Sequence, residues 1–386
     1  MPVGNPSLPF EFATAARIVF GPGVAQTVAA AAKEMGSVAL IVTGRSTDRA
    51  ASLAADLKSD LFTIPGEPAI TRIDEGVQLA RKSGVDLIIG FGGGSAIDAG
   101  KAIAALMANG GEALDYLEVV GAGRPLLKPS APFIAIPTTA GTGSEVTRNA
   151  VLASPEHRLK ASLRSPHMLP RLALVDPELT IDLPPEVTAS TGLDALTQLI
   201  EPYTSNRANP ITDMFCLEGI RRVRGSLLRA YENGQDREVR TDMAMASLLG
   251  GLALANAGLG AVHGFAAPIG GMFPAPHGAI CAALLPHAME VNVRALRKRA
   301  PQSDALRRYE TIAQLLTGKP KAYMEEGIEW VRQLCTKLSI PPLSTYGIGR
   351  PDVAILAEKA AQASSMKANP IVLTAPELED LVSAAL

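Results

Sequence analysis

The first half of the chain alternates short apolar runs with helical runs, and this alternation restricts the fold more than any other feature of the sequence. Four apolar runs predict buried strands, at residues 38–43, 85–89, 133–136 and 172–175. Three runs with helical spacing lie among them, at residues 47–57, 70–83 and 96–107. Because strands of this kind need cover on both faces, the pattern predicts an α/β domain with a parallel, Rossmann-like sheet.

The second half of the chain has a different pattern. After residues 182–185 no run predicts a strand. Helical runs follow instead, at residues 211–231, 239–257, 303–316, 323–338 and 351–366. Asn209 is a plausible N-cap for the first of these runs, and Pro210 suits the first helical position. We therefore expect an α/β domain at residues 1–182 and an all-helical domain at residues 183–386.

Composition excludes several functional classes. The 386 residues carry a formal net charge of −2, which offers nothing for nucleic acid or an anionic membrane to bind. No apolar stretch reaches the roughly 18 residues of a membrane helix. Residues 1–6 lack the cationic and apolar segments of a signal peptide, so we expect a cytoplasmic protein. Three distant cysteines, Cys216, Cys281 and Cys335, argue against a disulfide framework and against a thiolate metal cage.

Two loops at predicted strand ends could bind phosphate. The strand at 85–89 runs into a glycine cluster that ends at Ser95, where a complete G-x-G-x-x-G motif would have glycine. Taken alone, this loop is equally an anion cradle or a tight turn with Ser95 as N-cap. The strand at 133–136 runs into residues 137–145, which contain four hydroxyl side chains and two glycines. Two such loops in one sheet favour a shared diphosphate ligand.

Several segments together resemble the iron-containing, or group III, alcohol dehydrogenases. These are Gly92-Gly93-Gly94-Ser95 with Asp98, the loop at 137–145, Asp176-Pro177-Glu178-Leu179, Thr191 to Leu196, and the glycine-flanked His263 and His277. The resemblance implies a nucleotide-binding α/β domain and a helical domain, the architecture shared with dehydroquinate synthase. It also implies an active site in the cleft between the domains, and a homodimer or a higher assembly.

The resemblance further implies which residues bind NAD(P). They are Gly92, Gly93, Gly94, Ser95, Asp98, Thr138, Thr139, Thr142 and Ser144. Lys160 matches the family lysine near the cofactor ribose. Without the resemblance, Lys160 beside Arg158 would be interpreted as an exposed surface lysine.

In this family one aspartate and three histidines bind a divalent metal, usually iron and sometimes zinc. Asp194, His263 and His277 match three of these residues, and the resemblance makes them the catalytic group. Gln198 stands where the family has the third histidine, and its amide oxygen is a weaker ligand than imidazole. Ala267 replaces another common histidine. Coordination by Gln198, a three-ligand site and loss of the metal all remain open, and the three retained residues favour a bound Fe²⁺ or Zn²⁺.

The end of the strand at 38–43 bears on the choice of cofactor. An acidic residue often follows such a strand and binds the ribose hydroxyls of NAD, but here Gly44, Arg45 and Ser46 follow. Arg45 could pair with a ribose 2′-phosphate or point into solvent. We expect NADPH to be accepted at least as well as NADH.

The predicted function is the NAD(P)-dependent interconversion of a small alcohol and its aldehyde or ketone. A reductase of a more polar carbonyl, like the maleylacetate reductases, is a variant within this class. Two other classes stay open at this point. One is a lyase similar to dehydroquinate synthase, and the other is a binding protein without catalysis.

Overall fold

The computed structural model describes residues 9–45 and 47–386, and within this range the chain forms two compact units. One unit contains residues 14–182. The other contains residues 183–386 together with residues 9–13, which the sequence analysis assigned to the α/β domain. Ala13 explains the difference, because its amide donates to Asn256 Oδ1 (2.7 Å) and its carbonyl accepts from Asn256 Nδ2 (3.0 Å). Residues 1–8 and Ser46 lie outside the described residues, and so do the parts of the signal-peptide and cofactor predictions that depended on them.

The α/β unit is built on a six-stranded parallel sheet, which confirms the predicted fold class. In chain order its elements are β1 (Ile18–Phe20), α1 (Val28–Met35), β2 (Ala39–Thr43), α2 (Asp48–Ala55), β3 (Ser59–Thr63), α3 (Ile70–Lys82), β4 (Leu87–Gly92), α4 (Gly94–Asn109), α5 (Ala113–Tyr116), β5 (Phe133–Pro137), β6 (Asn149–Ser154), β7 (Leu159–Arg164) and β8 (Leu172–Val175). The strand order is β1-β8-β5-β4-β2-β3. Let the strands β2, β3, β4, β5 and β8 be numbered 1 to 5 in chain order. Their order in the sheet, starting from β3, is then the doubly wound order 2-1-3-4-5, and β1 is added beside β8 at one edge.

Helices cover both faces of this sheet, as the near-continuous apolar strands require. Leu40 and Val42 of β2 join one buried cluster, whereas Ala39 and Ile41 join another on the opposite face. Alternate side chains of one strand therefore fill two separate cores. The antiparallel hairpin of β6 and β7, which no apolar run had predicted, forms a second sheet of two strands.

Strand β4 and helix α4 approach each other closely where two glycines face one aromatic ring. A Cβ atom on Gly100 of α4 would lie 2.7 Å from the ring of Phe133, and a Cβ on Gly90 of β4 would lie 2.9 Å from the same ring. Phe133 is 2% exposed, so its ring has little room to move. Glycine at these positions lets the helix pack directly on the strand that leads into it.

The second unit contains helices joined by loops, and none of its described residues forms a strand. Its helices are α6 (Pro185–Thr204), α7 (Pro210–Glu232), α8 (Arg237–Ala257), α9 (Ala261–Met272), α10 (His277–Arg299), α11 (Asp304–Thr317), α12 (Met324–Lys337), α13 (Val353–Gln362) and α14 (Ala375–Ala384). The Asn209 side chain accepts from Thr212 N (3.1 Å), which confirms the predicted N-cap of α7. Among these helices none alone has the length and hydropathy of a membrane span, and α8 with α9 meets that test only as a pair bent by 99°.

The glycine packing between β4 and α4 predicts that Gly100→Ala destabilises the protein by about 1–3 kcal/mol, because the new methyl group displaces the Phe133 ring. Chemical denaturation measures the change. Gly225→Ala is the matched control. Gly225 is exposed within α7, and a Cβ atom there would have no neighbouring atom within 4 Å, so this variant should gain up to about 1 kcal/mol. Equal stabilities for the two variants would contradict the prediction.

Candidate cofactor and metal sites

Three parallel strands end together at the point where the strand order reverses. Thr138, at the exit of β5, donates its amide to the carbonyl of Gly92 at the exit of β4 (2.9 Å). Gly44, at the exit of β2, has its nitrogen 3.4 Å from the place where a Cβ of Gly92 would lie. In doubly wound sheets, ligands bind at the carboxyl ends of the strands beside this reversal. The predicted cofactor residues of the three loops therefore converge where such a sheet binds nucleotides.

Helix α4 starts within the first predicted phosphate loop and lies against the second. Gly93 is its N-cap residue, so Ser95 lies in the first turn rather than at the cap, and no side chain caps the helix. A Cβ on Gly94 would lie 2.7 Å from Thr142 Cγ2, and one on Gly93 would lie 3.4 Å from Thr139 Cγ2. The hydroxyl-rich loop thus lies against the start of a 16-residue helix whose first amides receive no side-chain cap. Such a helix terminus binds anions well.

A buried lysine, which the sequence analysis did not single out, ties this loop to α4. Lys101 is 1% exposed, and its Nζ donates to Ser144 Oγ (2.7 Å) and Thr147 Oγ1 (2.9 Å) while pairing with Asp98 Oδ1 (3.0 Å). Asp98 also accepts from the amide of Val151 (2.9 Å) and from the Ser144 hydroxyl. Asp98 and Ser144 therefore fix the shape of the loop. The i, i+3 spacing of Asp98 and Lys101 on one helix is the signal that could have revealed this pair.

A second buried charge lies in the same loop. Glu145 is 2% exposed, and burial raises its pKa to about 7, although Lys101 nearby opposes the rise. Burial in turn lowers the pKa of Lys101, against the effect of Asp98. The protonation of Glu145 therefore changes close to neutral pH.

Two further predicted cofactor residues have definite partners. Lys160 of β7 is 8% exposed, and its Nζ pairs with Glu67 Oε1 (2.8 Å), so it is a buried lysine and not the exposed one that its neighbours had suggested. Arg45 is exposed, and its Nε donates to the carbonyl of Pro65. Pro65 lies just beyond the carboxyl end of β3, so this bond holds the guanidinium at the same end of the strands as Gly44.

Helices α6, α9 and α10 bring the predicted metal ligands together. Asp194 Oδ1 of α6 lies 3.4 Å from His263 Nε2 of α9 and 3.6 Å from His277 Nε2 of α10. Cys281 of α10 is a fourth member, with its Sγ 3.9 Å from His263 Nε2 and 3.7 Å from His277 Nε2. One atom from each of these four residues lies within 4.8 Å of the others, a group that could hold a metal ion. The sequence analysis did not place Cys281 in this group, and a single thiol among one carboxylate and two imidazoles is not a thiolate cage.

Glu201 holds His263 in position. Its Oε2 lies 2.7 Å from His263 Nδ1, and its Oε1 accepts from the amide of Val262 (2.7 Å). This carboxylate binds the Nδ1 proton and leaves Nε2 directed at Asp194, the usual arrangement of a metal-binding histidine. Glu201 is seven residues after Asp194 on α6, and this helical spacing is the signal that could have identified it.

The two departures from the family pattern lie on the same helices. Gln198 is one turn after Asp194 on α6 and 2% exposed. Its Oε1 accepts no hydrogen bond from any described residue, and the same holds for Asp194 Oδ1. Ala267, one turn after His263 on α9, offers no group that could bind or carry a proton. Two buried oxygens thus lack the donors that such atoms normally have.

The charges in this cluster depend on one another. Burial disfavours an ionised Asp194, but His277 and His263 beside it hold the pKa of that carboxyl below its usual range. Burial also disfavours a charged His263, yet Cys281, Asp194 and Glu201 raise the pKa of that imidazole well above its usual value. The converging atoms therefore need a shared cation, which is a proton or a metal. The donor set of oxygen, nitrogen and sulfur fits a divalent transition metal.

Two family models cover nearly the whole chain. "Iron-containing alcohol dehydrogenase" matches residues 15–177, and "Fe-containing alcohol dehydrogenase family, C-terminal" matches residues 188–386. The chain is 38% identical to alcohol dehydrogenase 4 of Saccharomyces cerevisiae over 319 residues, which are 82% of this chain and 80% of the relative. It is 33% identical to the NAD-dependent methanol dehydrogenase of Bacillus methanolicus, over 95% and 97% of the two chains.

Solved structures agree with these relatives. The crystal structure of a 1,3-propanediol oxidoreductase matches with a TM-score of 0.90 at 31% identity, over 98% of this chain and 100% of that one. The alcohol dehydrogenase of Oenococcus oeni matches with a TM-score of 0.89 at 33% identity, over the same shares. The chain belongs to the iron-containing alcohol dehydrogenase family, which confirms the resemblance seen in the sequence. It is an oxidoreductase that acts on CH–OH groups.

Buried Glu145 predicts a pH-dependent stability difference. Its pKa is 4.5 in the unfolded chain and about 7 in the folded state. Between these values the folded protein binds a proton that the unfolded chain has released, so stability is lost as the pH rises. Glu145→Gln cannot lose that proton. Relative to the wild type, this variant should gain on the order of 2 kcal/mol between pH 5 and pH 8.

Denaturant titrations of both proteins across this pH range measure the gain. Glu156→Gln, which changes an exposed carboxylate in the turn between β6 and β7, serves as the control and should follow the wild type. Parallel pH profiles for the wild type and Glu145→Gln would contradict the assignment.

Proposed function

We propose that this chain interconverts a small alcohol and its aldehyde or ketone by hydride transfer to or from a nicotinamide dinucleotide, with a divalent metal held by Asp194, His263 and His277. The observation that carries the proposal is the convergence of these three side chains from three helices, with the two imidazole nitrogens 3.4 and 3.6 Å from Asp194 Oδ1. The glycine-rich loop and the hydroxyl-rich loop, which follow the carboxyl ends of β4 and β5, support the binding of the dinucleotide cofactor. The relatives named as dehydrogenases support the class of reaction.

In the α/β unit, the amides at the start of α4 and the hydroxyls of Thr138, Thr139 and Thr142 bind the cofactor diphosphate. Lys101 fixes the loop that carries them, because its three hydroxyl and carboxylate partners span α4 and the loop. Lys160, paired with Glu67, lies near the cofactor ribose in this proposal. These residues bind and orient the cofactor and do not take part in proton transfer.

In the helical unit, Glu201 keeps His263 Nε2 and Asp194 Oδ1 directed at one point. A divalent metal bound there would act as a Lewis acid that favours the alkoxide form of the alcohol. Oxidation of the alcohol then transfers a hydride from its carbon to the nicotinamide ring and releases the hydroxyl proton. Ala267 cannot accept this proton, so it leaves by a route that does not use an imidazole at position 267.

Turnover with a panel of short alcohols and aldehydes tests the proposal. We expect NAD(P)H to be formed or consumed, and activity to fall after chelation and to return with added Fe²⁺ or Zn²⁺. Asp194→Asn should lower kcat/KM by about 100-fold or more, because a neutral amide binds the metal weakly. Its affinity for NAD(P)H should stay unchanged, which separates lost catalysis from misfolding. A wild-type protein inactive with the whole panel and both metals would contradict the proposed function.

Arg45 supports the use of NADPH at least as well as NADH. Its hydrogen bond to Pro65 holds an exposed guanidinium at the exit of β2, where Gly44 and Arg45 directly follow the strand in place of the acidic residue that often does so. Arg45→Ala should lower kcat/KM with NADPH by about 10-fold and leave the value with NADH nearly unchanged. Lys58→Ala removes an exposed cation from the opposite, amino-terminal side of β3 and should change neither value. A strong NADH preference of the wild type would contradict this part of the proposal.

The family resemblance also leads us to propose a homodimer or a higher assembly of dimers. Light scattering at micromolar concentration measures the mass directly. A single species of 40.2 kDa would be the monomer and would contradict the proposal.

A further inference from the structure

We propose that the thiolate of Cys281 is a metal ligand in this protein and takes the place of the imidazole that Gln198 has replaced. The donor set is then one carboxylate oxygen, two imidazole nitrogens and one sulfur. This inference rests on the metal site of the proposed function, and it changes the chemistry of that site from a hard and borderline set to a softer one.

The separations between the four donor atoms support this assignment. Zinc bonds are about 2.0–2.1 Å to nitrogen or oxygen and about 2.3 Å to sulfur. In a tetrahedral site these bond lengths place two nitrogen or oxygen donors about 3.4 Å apart, and a nitrogen and a sulfur about 3.6 Å apart. Asp194 Oδ1 lies 3.4 and 3.6 Å from the two imidazole nitrogens. Cys281 Sγ lies 3.7 and 3.9 Å from the same nitrogens. Four of the six edges between the donor atoms therefore already have nearly the lengths of a tetrahedral metal site, and the other two are no longer than 4.8 Å.

The position of Cys281 in the fold independently supports its assignment as a metal ligand. Cys281 is four residues after His277 on α10, so the two side chains lie on one face of the helix. Its side chain is fully buried. Asp194 Oδ1, which is also buried, accepts no hydrogen bond within normal geometry from the described residues, although two imidazole nitrogens lie 3.4 and 3.6 Å away, so it has lone pairs available for a metal. Cys335 lacks this setting, because its thiol donates to the carbonyl of Ala282 (3.5 Å).

The thiolate favours a particular class of metal. Sulfur ligands suit Zn²⁺ and its spectroscopic substitute Co²⁺, whereas carboxylate and imidazole sets without sulfur bind Fe²⁺ as well as Zn²⁺. Binding requires the thiol to lose its proton, so the metal releases a proton as it enters. Four protein ligands complete the tetrahedron, and an alcohol oxygen would have to add as a fifth donor.

Cobalt titration of the metal-depleted, full-length protein tests the assignment. The wild type should develop a near-ultraviolet sulfur-to-cobalt charge-transfer band together with visible d–d absorption. Cys281→Ser should lose the first band and keep the second, because Asp194, His263 and His277 remain. Its affinity for Zn²⁺ should fall by more than the roughly 10–100-fold that loss of an outer-sphere partner costs. Cys335→Ala is the matched control and should behave as the wild type.

X-ray absorption of the zinc-loaded wild type provides a measurement that needs no variant. It should show one sulfur at about 2.3 Å among nitrogen and oxygen neighbours. A shell of nitrogen and oxygen alone, or an unchanged charge-transfer band in Cys281→Ser, would overturn the assignment. Failure to bind any cobalt or zinc would overturn it together with the metal part of the proposed function. A sulfur-containing site in a protein without turnover would keep this assignment and remove only the proposed function.

Discussion

The buried carboxylate of Asp194 is the constraint on which the helical unit depends. A charge inside a protein costs several kcal/mol unless it is paired, and Asp194 is 1% exposed. Its pairing groups come from α9 and α10, so these helices have to begin where His263 and His277 can reach it. Glu201 fixes the first of these positions by binding both the imidazole and the backbone at the start of α9. One buried charge therefore constrains where three helices meet.

The α/β unit also contains a buried charge, and this charge is positive. Lys101 is as deeply buried as Asp194, and its ammonium group is surrounded by Asp98, two hydroxyls and backbone carbonyls. The lysine side chain contacts several residues of the loop at once. The lysine accordingly shapes a loop, whereas the aspartate positions whole helices.

The sequence predicted the strands best where the pattern was most strongly apolar. Residues 172–175 form β8 with the predicted bounds, whereas β4 starts two residues later than predicted and continues through Gly92. Gly90 and Gly92 had been interpreted as a loop, but they lie in β4, where Gly90 pairs with both neighbouring strands and Gly92 pairs with β5. Strand β3 was missed because it lies at the edge of the sheet and contains Ser59 and Asp60.

The site was predicted in part, and two of its members were missed. Asp194, His263 and His277 were found through flanking motifs, and the structure brings them together. Cys281 was missed because it was judged by its distance along the chain from the other cysteines, and Glu201 was missed because it was not considered as a partner of the histidines. On a helix the informative distance is one or two turns, which separates Cys281 from His277 and Glu201 from Asp194. The boundary of α10 at His277 was needed to see the first of these relations.

Because the chain is divided into two units, the proposed binding of metal and the proposed binding of nucleotide are linked only through a coupling free energy. All the proposed metal donors come from residues 194–281, whereas the proposed nucleotide residues come from residues 44–160, in the other compact unit. Neither set shares a side chain with the other. Any effect of bound nucleotide on metal affinity is therefore a coupling free energy between separate sites, and the metal must change nucleotide affinity by the same factor. Measuring that factor in both directions would quantify how strongly the two units communicate.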